Sequence, residues 1–144
     1  MKARPYEFIE HTADIGIKIK AGGLKGLFRQ SALVMFEIIA EKNPLIPASR
    51  QRKIKKFMIK QQADNIEELF VNWLNELLSL SAVKGLIFFD FKINKLSENL
   101  LQAAASGESA KNYKVNAEIK AATYHELKIE KSKTGWQAQI IFDV

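Results

Sequence analysis

Trp136-Gln137-Ala138-Gln139-Ile140-Ile141-Phe142-Asp143 sets Trp136, Ala138, Ile140 and Phe142 on one side of an extended chain and Asp143 on the other. Successive side chains of a strand point to opposite faces, so the pattern predicts a strand with one buried face and Asp143 turned away from the core. Near the other end of the sequence, Ile15, Ile17 and Ile19 alternate with Gly16, Lys18 and Lys20, and Asp14 falls on the polar side. Strands of matching parity suit one sheet, with both aspartates on its polar side or rim. If these segments meet, Asp14, Asp143 and the carboxylate of Val144 form a cluster of hard oxygen donors. Such donors suit calcium, magnesium or manganese better than softer metals. The bland alternative stays open: an aspartate after a strand often only caps a turn, and one near a chain end often only solubilises an edge.

Between these strands the periods change. Leu27, Phe28, Ala32, Met35, Phe36 and Ile39 recur every three or four residues, which predicts an amphipathic helix from Leu24 to about Ala40. Asp64 and Glu67 read as a capping pair that opens a second helix, whose stripe of Ile66, Leu69, Phe70, Trp73, Leu74, Leu77 and Leu78 faces the core. Asn72, Asn75 and Glu76 lie on its other side. Leu86–Ile93 is apolar on both faces and predicts a central strand. The stretch from Leu96 to Ala105 reads as its antiparallel partner, although three consecutive alanines also suit helix. Val115, Ala117, Ile119 and Ala121 alternate as a further strand, Leu127 and Ile129 as another, and Lys131–Gly135 forms a turn. Two amphipathic helices packed against a largely antiparallel sheet make a single two-layer α+β domain spanning residues 1–144.

Composition narrows the chemistry. The absence of cysteine excludes disulfides, thiolate zinc sites, iron–sulfur clusters and cysteine nucleophiles. The charged N-terminal stretch is unlike a signal peptide and no apolar run reaches membrane-spanning length, so a cytoplasmic protein without membrane contact is expected. Twenty-two Lys and Arg against 16 Asp and Glu give a net charge of +6, which favours a polyanion or an acidic protein surface as partner. The positive charge is densest over residues 50–60, a run without any acid that also fits an edge strand using lysines against unwanted pairing.

Four segments carry a family resemblance: Tyr6–Gly16 with its His11-Thr12-Ala13-Asp14 core, Trp73-Leu74-Asn75-Glu76-Leu77-Leu78, Ala121-Ala122-Thr123-Tyr124-His125-Glu126-Leu127, and Ile141-Phe142-Asp143-Val144. In this order, along the whole chain, they resemble archease, the small activator of tRNA-splicing RNA ligases of the RtcB type. The resemblance implies a non-catalytic role: promoting guanylylation of the ligase, sustaining its turnover and widening its nucleotide use. It also implies a divalent cation, calcium foremost, on Asp14, Asp143 and Val144, and a contact of Lys120 with the ligase or its nucleotide. The implied partner is thus the RtcB-type ligase, with RNA or GTP met indirectly. Gly107–Tyr113 departs from the family pattern, lacking the acid and histidine that relatives often carry after Gly-Glu.

His11 and His125 are candidates for orienting a ligand rather than for binding the ion, because imidazole is not the donor that a calcium-like ion prefers, and a lone histidine beside threonine or tyrosine is more often a hydrogen-bonded structural group. The competing readings are a basic RNA-binding module resting on the 50–60 run, without an aromatic-basic signature, and a metal-dependent hydrolase using Asp14, Asp143 and a histidine, without a recognisable nucleophile or base pair.

Overall fold

The computed structural model describes residues 6–10, 14–47 and 52–144. Along the chain run β1 (Tyr6–Glu10), β2 (Asp14–Ala21), α1 (Leu24–Ile39), β3 (Ala40–Lys42), β4 (Lys55–Gln62), α2 (Ile66–Lys84), β5 (Leu86–Leu96), β6 (Leu100–Ser109), a short 3-10 turn (Ala110–Asn112), β7 (Tyr113–Val115), β8 (Ala121–Ser132) and β9 (Gly135–Asp143). The α+β reading holds, with two helices packed against antiparallel sheets. The strands divide, however, into a four-stranded sheet of order β1-β2-β9-β8, a three-stranded sheet of order β4-β6-β5 and the ribbon β3-β7.

One hydrophobic cluster joins these parts. Ile17, Ile19, Ile140 and Phe142 from the first sheet meet Phe88, Phe91 and Leu101 from the second, with Phe28, Phe70 and Trp73 of the helices among them. The Trp73 indole N–H donates to the Phe28 carbonyl at 3.0 Å, which satisfies the largest buried side chain and ties α2 to α1. Among the described residues, no helix is long and apolar enough to cross a membrane.

The alanine run of β6 resolves as strand, and the pairing shows why. Ala103 lies between Ile59 and Ile93, and Ala105 between Phe57 and Phe91, so small residues on the central strand make room for large neighbours on both sides.

Four expectations are corrected. β5 is an edge strand, not a central one; its apolar faces come from register shifts at Phe88/Asp90 and Ile93/Lys95 and from α1, which packs on it. Arg29 and Lys25 of α1 donate to the Phe91 and Asn94 carbonyls at 3.1 and 3.4 Å. The cap of α2 is Asn65, whose side chain accepts from the Glu68 amide at 2.8 Å, one residue beyond the predicted Asp64. The strand predicted through Val115–Ala121 is broken, because residues 116–120 cross between sheets while Asn116 and Ala117 donate to the Ile39 carbonyl. Asn75, assigned to the polar side of α2, binds backbone instead, as shown below. Lys55–Lys60 of the basic run lie in β4, which is an edge strand as expected.

Candidate cation and partner-contact site

β2 and β9 pair antiparallel with Asp14 opposite Asp143, and β8 adds Ala121 opposite Asp143 on the other side. Directly opposed residues project from the same face with Cβ atoms about 4.5–5.5 Å apart, so the two carboxylates are neighbours at one end of the sheet. The core claims the alternate positions: Ile17, Ile19, Ile140 and Phe142 are fully buried, whereas Asp14 is half-buried and Asp143 exposed.

Like charges directly opposite are unfavourable in a sheet unless a cation sits between them. Among the described residues, neither aspartate forms an ion pair with lysine or arginine. The described residues also hold no group of three or more His, Cys, Asp or Glu that would enclose a metal ion by itself. Two carboxylates on one face still fit a hard cation that completes its shell with backbone oxygens, such as those of the adjacent Val144, and with water.

Lys120 stands beside this pair. Its amide donates to the Asp143 carbonyl at 2.7 Å, so the connection reaching β8 is fastened where β9 ends, and its side chain is exposed. One turn of α2 supports the same place: Asn75 Nδ2 donates to the Ala122 carbonyl at 3.1 Å, and Asn75 Oδ1 accepts from the Ala122 amide at 2.8 Å. β8 is an edge strand, so these two bonds satisfy backbone groups that no neighbouring strand reaches.

The next residues leave the ladder. Thr123 pairs with Ile141 and Lys128 with Gln139, so Tyr124–Leu127 bulge out of β8 opposite a single β9 residue. Glu126 has φ 53, an uncommon conformation for a non-glycine residue. Thr123 Oγ1 donates to the Ile141 carbonyl at 2.8 Å, and Gln139 Nε2 donates to the Glu126 carbonyl at 2.8 Å, which pins both ends of the bulge. Tyr124 is 57% exposed. Partial burial, then the Glu68 carboxylate, raise its hydroxyl pKa above the ordinary value. His125 is exposed and its amide donates to Thr123 Oγ1 at 3.3 Å; His11 lies outside the described residues. The bulge and the Asn75 clamp were not expected from the sequence. The signal for the bulge was a slip of phase, since Ala122 is buried on an even number while Leu127 and Ile129 turn inward on odd ones.

Residues 6–144 match the profile of the Archease protein family (MTH1598/TM1083). The chain is 32% identical over 149 residues to protein archease of Methanosarcina acetivorans, covering 99% of this chain and 98% of that protein. It is 35% identical over 150 residues to protein archease of Pyrococcus furiosus, covering 98% and 99%. Its fold matches the solution structure of Methanobacterium thermoautotrophicum protein 1598 with a TM-score of 0.69 at 27% identity, over 97% of this chain and 99% of that one. The crystal structure of a Thermotoga maritima archease described as a possible chaperone matches with a TM-score of 0.65 at 22% identity, over 100% and 98%, and this likeness speaks to the fold alone. Matched along nearly its whole length by profile and by relatives, the chain belongs to the archease family.

Proposed function

We propose that this protein is a non-catalytic, cytoplasmic activator of a tRNA-splicing RNA ligase of the RtcB type, and that it brings a divalent cation, calcium foremost, to its partner's nucleotide-transfer step. The observation that carries this reading is the register of Asp14 against Asp143. Asp14, Asp143 and the backbone oxygens of Val144 would hold the ion. A dication there would neutralise phosphate charge or fix a loop of the partner in its working arrangement.

The chain's own residues do the positioning. β2 and β9 present the two carboxylates on the same face, and the Lys120 amide bond to the Asp143 carbonyl keeps the exposed Lys120 side chain at the same end, where an ammonium is suited to a phosphate oxygen. Asn75 holds the start of β8 against α2, and the exposed Tyr124 next to it offers an aromatic contact for a protein partner.

The test is a ligation assay with the cognate ligase in excess RNA. Addition of this protein should change single turnover into multiple turnover and extend the usable nucleotides. Asp14→Ala and Asp143→Ala should each remove that effect while the proteins stay folded. A double variant that sustains turnover as well as the unmodified chain defeats the proposal.

A further inference from the structure

The face of the four-stranded sheet that carries Asp14 and Asp143 continues into a cavity of about 380 Å³. Its floor is set by register. One row across the sheet reads Glu7, Lys18, Gln139 and Lys128, and the next reads Lys20, Gln137 and Glu130. Lys18 and Lys20 are about 7 Å apart along one strand, and Lys18 and Lys128 lie about 10 Å apart across two strand spacings. All three are exposed, and among the described residues none of them forms an ion pair.

Two carboxylates sit in the same hollow. Glu130 already accepts from Gln137 Nε2 at 3.1 Å, and Glu7 stands beside Lys18. The lining therefore asks for a ligand with anionic oxygens at one part and hydrogen-bond donors at another. An acidic peptide would bring carboxylates against Glu7 and Glu130. A ribonucleotide matches both demands, with phosphate oxygens for the lysines and ribose hydroxyls or base N–H groups for the carboxylates and the glutamine amides. The volume is at the lower end of small-molecule sites and has room for one such unit.

We propose that this cavity is a ribonucleotide site, with Lys18, Lys20 and Lys128 on the phosphate and Glu130 on the ribose. It depends neither on a cation at Asp14 and Asp143 nor on a ligase partner. The nucleotide would come from a free nucleoside phosphate or from a single-stranded RNA segment.

Anisotropy of an end-labelled hexaribonucleotide, titrated with the full chain in the presence of chelator, tests the site. Saturable binding is expected, with a log–log salt slope of about −0.7 for each phosphate that the three lysines neutralise on a single strand. The Lys18→Gln, Lys20→Gln, Lys128→Gln triple variant should lose at least about tenfold in affinity and bring the slope towards zero. Glu130→Gln, which leaves the lysines intact, should narrow the preference for RNA over DNA of the same sequence. Competition by GMP assigns the site to free nucleotides, and binding of the RNA alone assigns it to a strand; either supports it. Unchanged binding in the triple variant overturns it. So does loss of binding in Lys55→Gln, Lys56→Gln on β4, equal competition by polyglutamate, or no saturation below about 1 mM.

Discussion

Replacing Asn75 by alanine removes one side chain from the surface of α2 and two hydrogen bonds from β8, both made to the backbone of Ala122. Ala122 is 4% exposed, so water reaches its amide and carbonyl poorly once Asn75 is gone. Two hydrogen bonds at about 1 kcal/mol each, with a further cost of up to about 2 kcal/mol for a buried group left unpaired, give a loss of about 2–4 kcal/mol. For a chain of 144 residues this lowers Tm by about 5–12 °C. Asn75→Asp is the sharper form. It keeps an acceptor for the Ala122 amide but turns a second oxygen onto the Ala122 carbonyl, which disfavours the ionised carboxyl and raises its folded pKa. Part of the stability lost at pH 7 should then return as pH falls through that raised value, and the recovery should be complete below the unfolded value of about 4, with the protonated group donating. Chemical denaturation and hydrogen exchange at the Ala122 amide read both effects. A loss below about 0.5 kcal/mol in Asn75→Ala, with Ala122 exchange unchanged, refutes the clamp.

Other parts of the fold give equally direct expectations. Gly135 has φ 147, and a Cβ there would lie 2.3 Å from the Ala21 carbonyl oxygen, so Gly135→Ala should destabilise by more than about 2 kcal/mol in urea melts. Glu108 is 1% exposed and accepts from Arg52 and from Asn112 Nδ2, with Lys42 Nζ at 3.9 Å. Arg52→Met should therefore cost about 2–3 kcal/mol, less than the roughly 3–5 kcal/mol of a fully buried pair because Arg52 is partly exposed and Asn112 and Lys42 remain, and the added substitution Glu108→Gln should recover part of it. Burial, then the Glu108 carboxylate, raise the Tyr113 pKa above 10.0, outweighing Arg52. That contribution to stability is full below the unfolded value of about 10 and fades as pH rises through the folded one, so Tyr113→Phe should flatten the alkaline end of a pH–stability curve.

Much of this architecture was legible because single residues obey strong local rules. The alternation of Ile15–Lys20 and Trp136–Asp143 placed both aspartates on one polar face, and the pairing of Asp14 with Asp143 is the same relation in three dimensions. The stripe from Ile66 to Leu78 marked α2 because its interval matches no other element. What failed depended on contacts between distant parts. The apolar faces of β5 looked central, yet α1 covers an edge, and an alternation read from sequence cannot tell a neighbouring strand from a helix that caps carbonyls with Arg29 and Lys25. Residues 116–120 alternate like a strand but cross between sheets, bonded to the end of α1 and to Asp143. Asn75 belonged to the polar side of α2 by periodicity, and only the fold brings Ala122 to it.

Calcium titration by calorimetry, followed by thermal unfolding, reads whether Asp14 and Asp143 share an ion. One saturable site is expected, absent in Asp14→Asn and in Asp143→Asn, with stabilisation of the unmodified chain by about 2.7 kcal/mol at a hundredfold excess over Kd. Without the ion, Asp14→Asn should melt at or above the unmodified chain, because a like-charge pair has been relieved. Equal calcium binding in all three proteins, or no binding of calcium, magnesium or manganese to any of them, contradicts the shared ion.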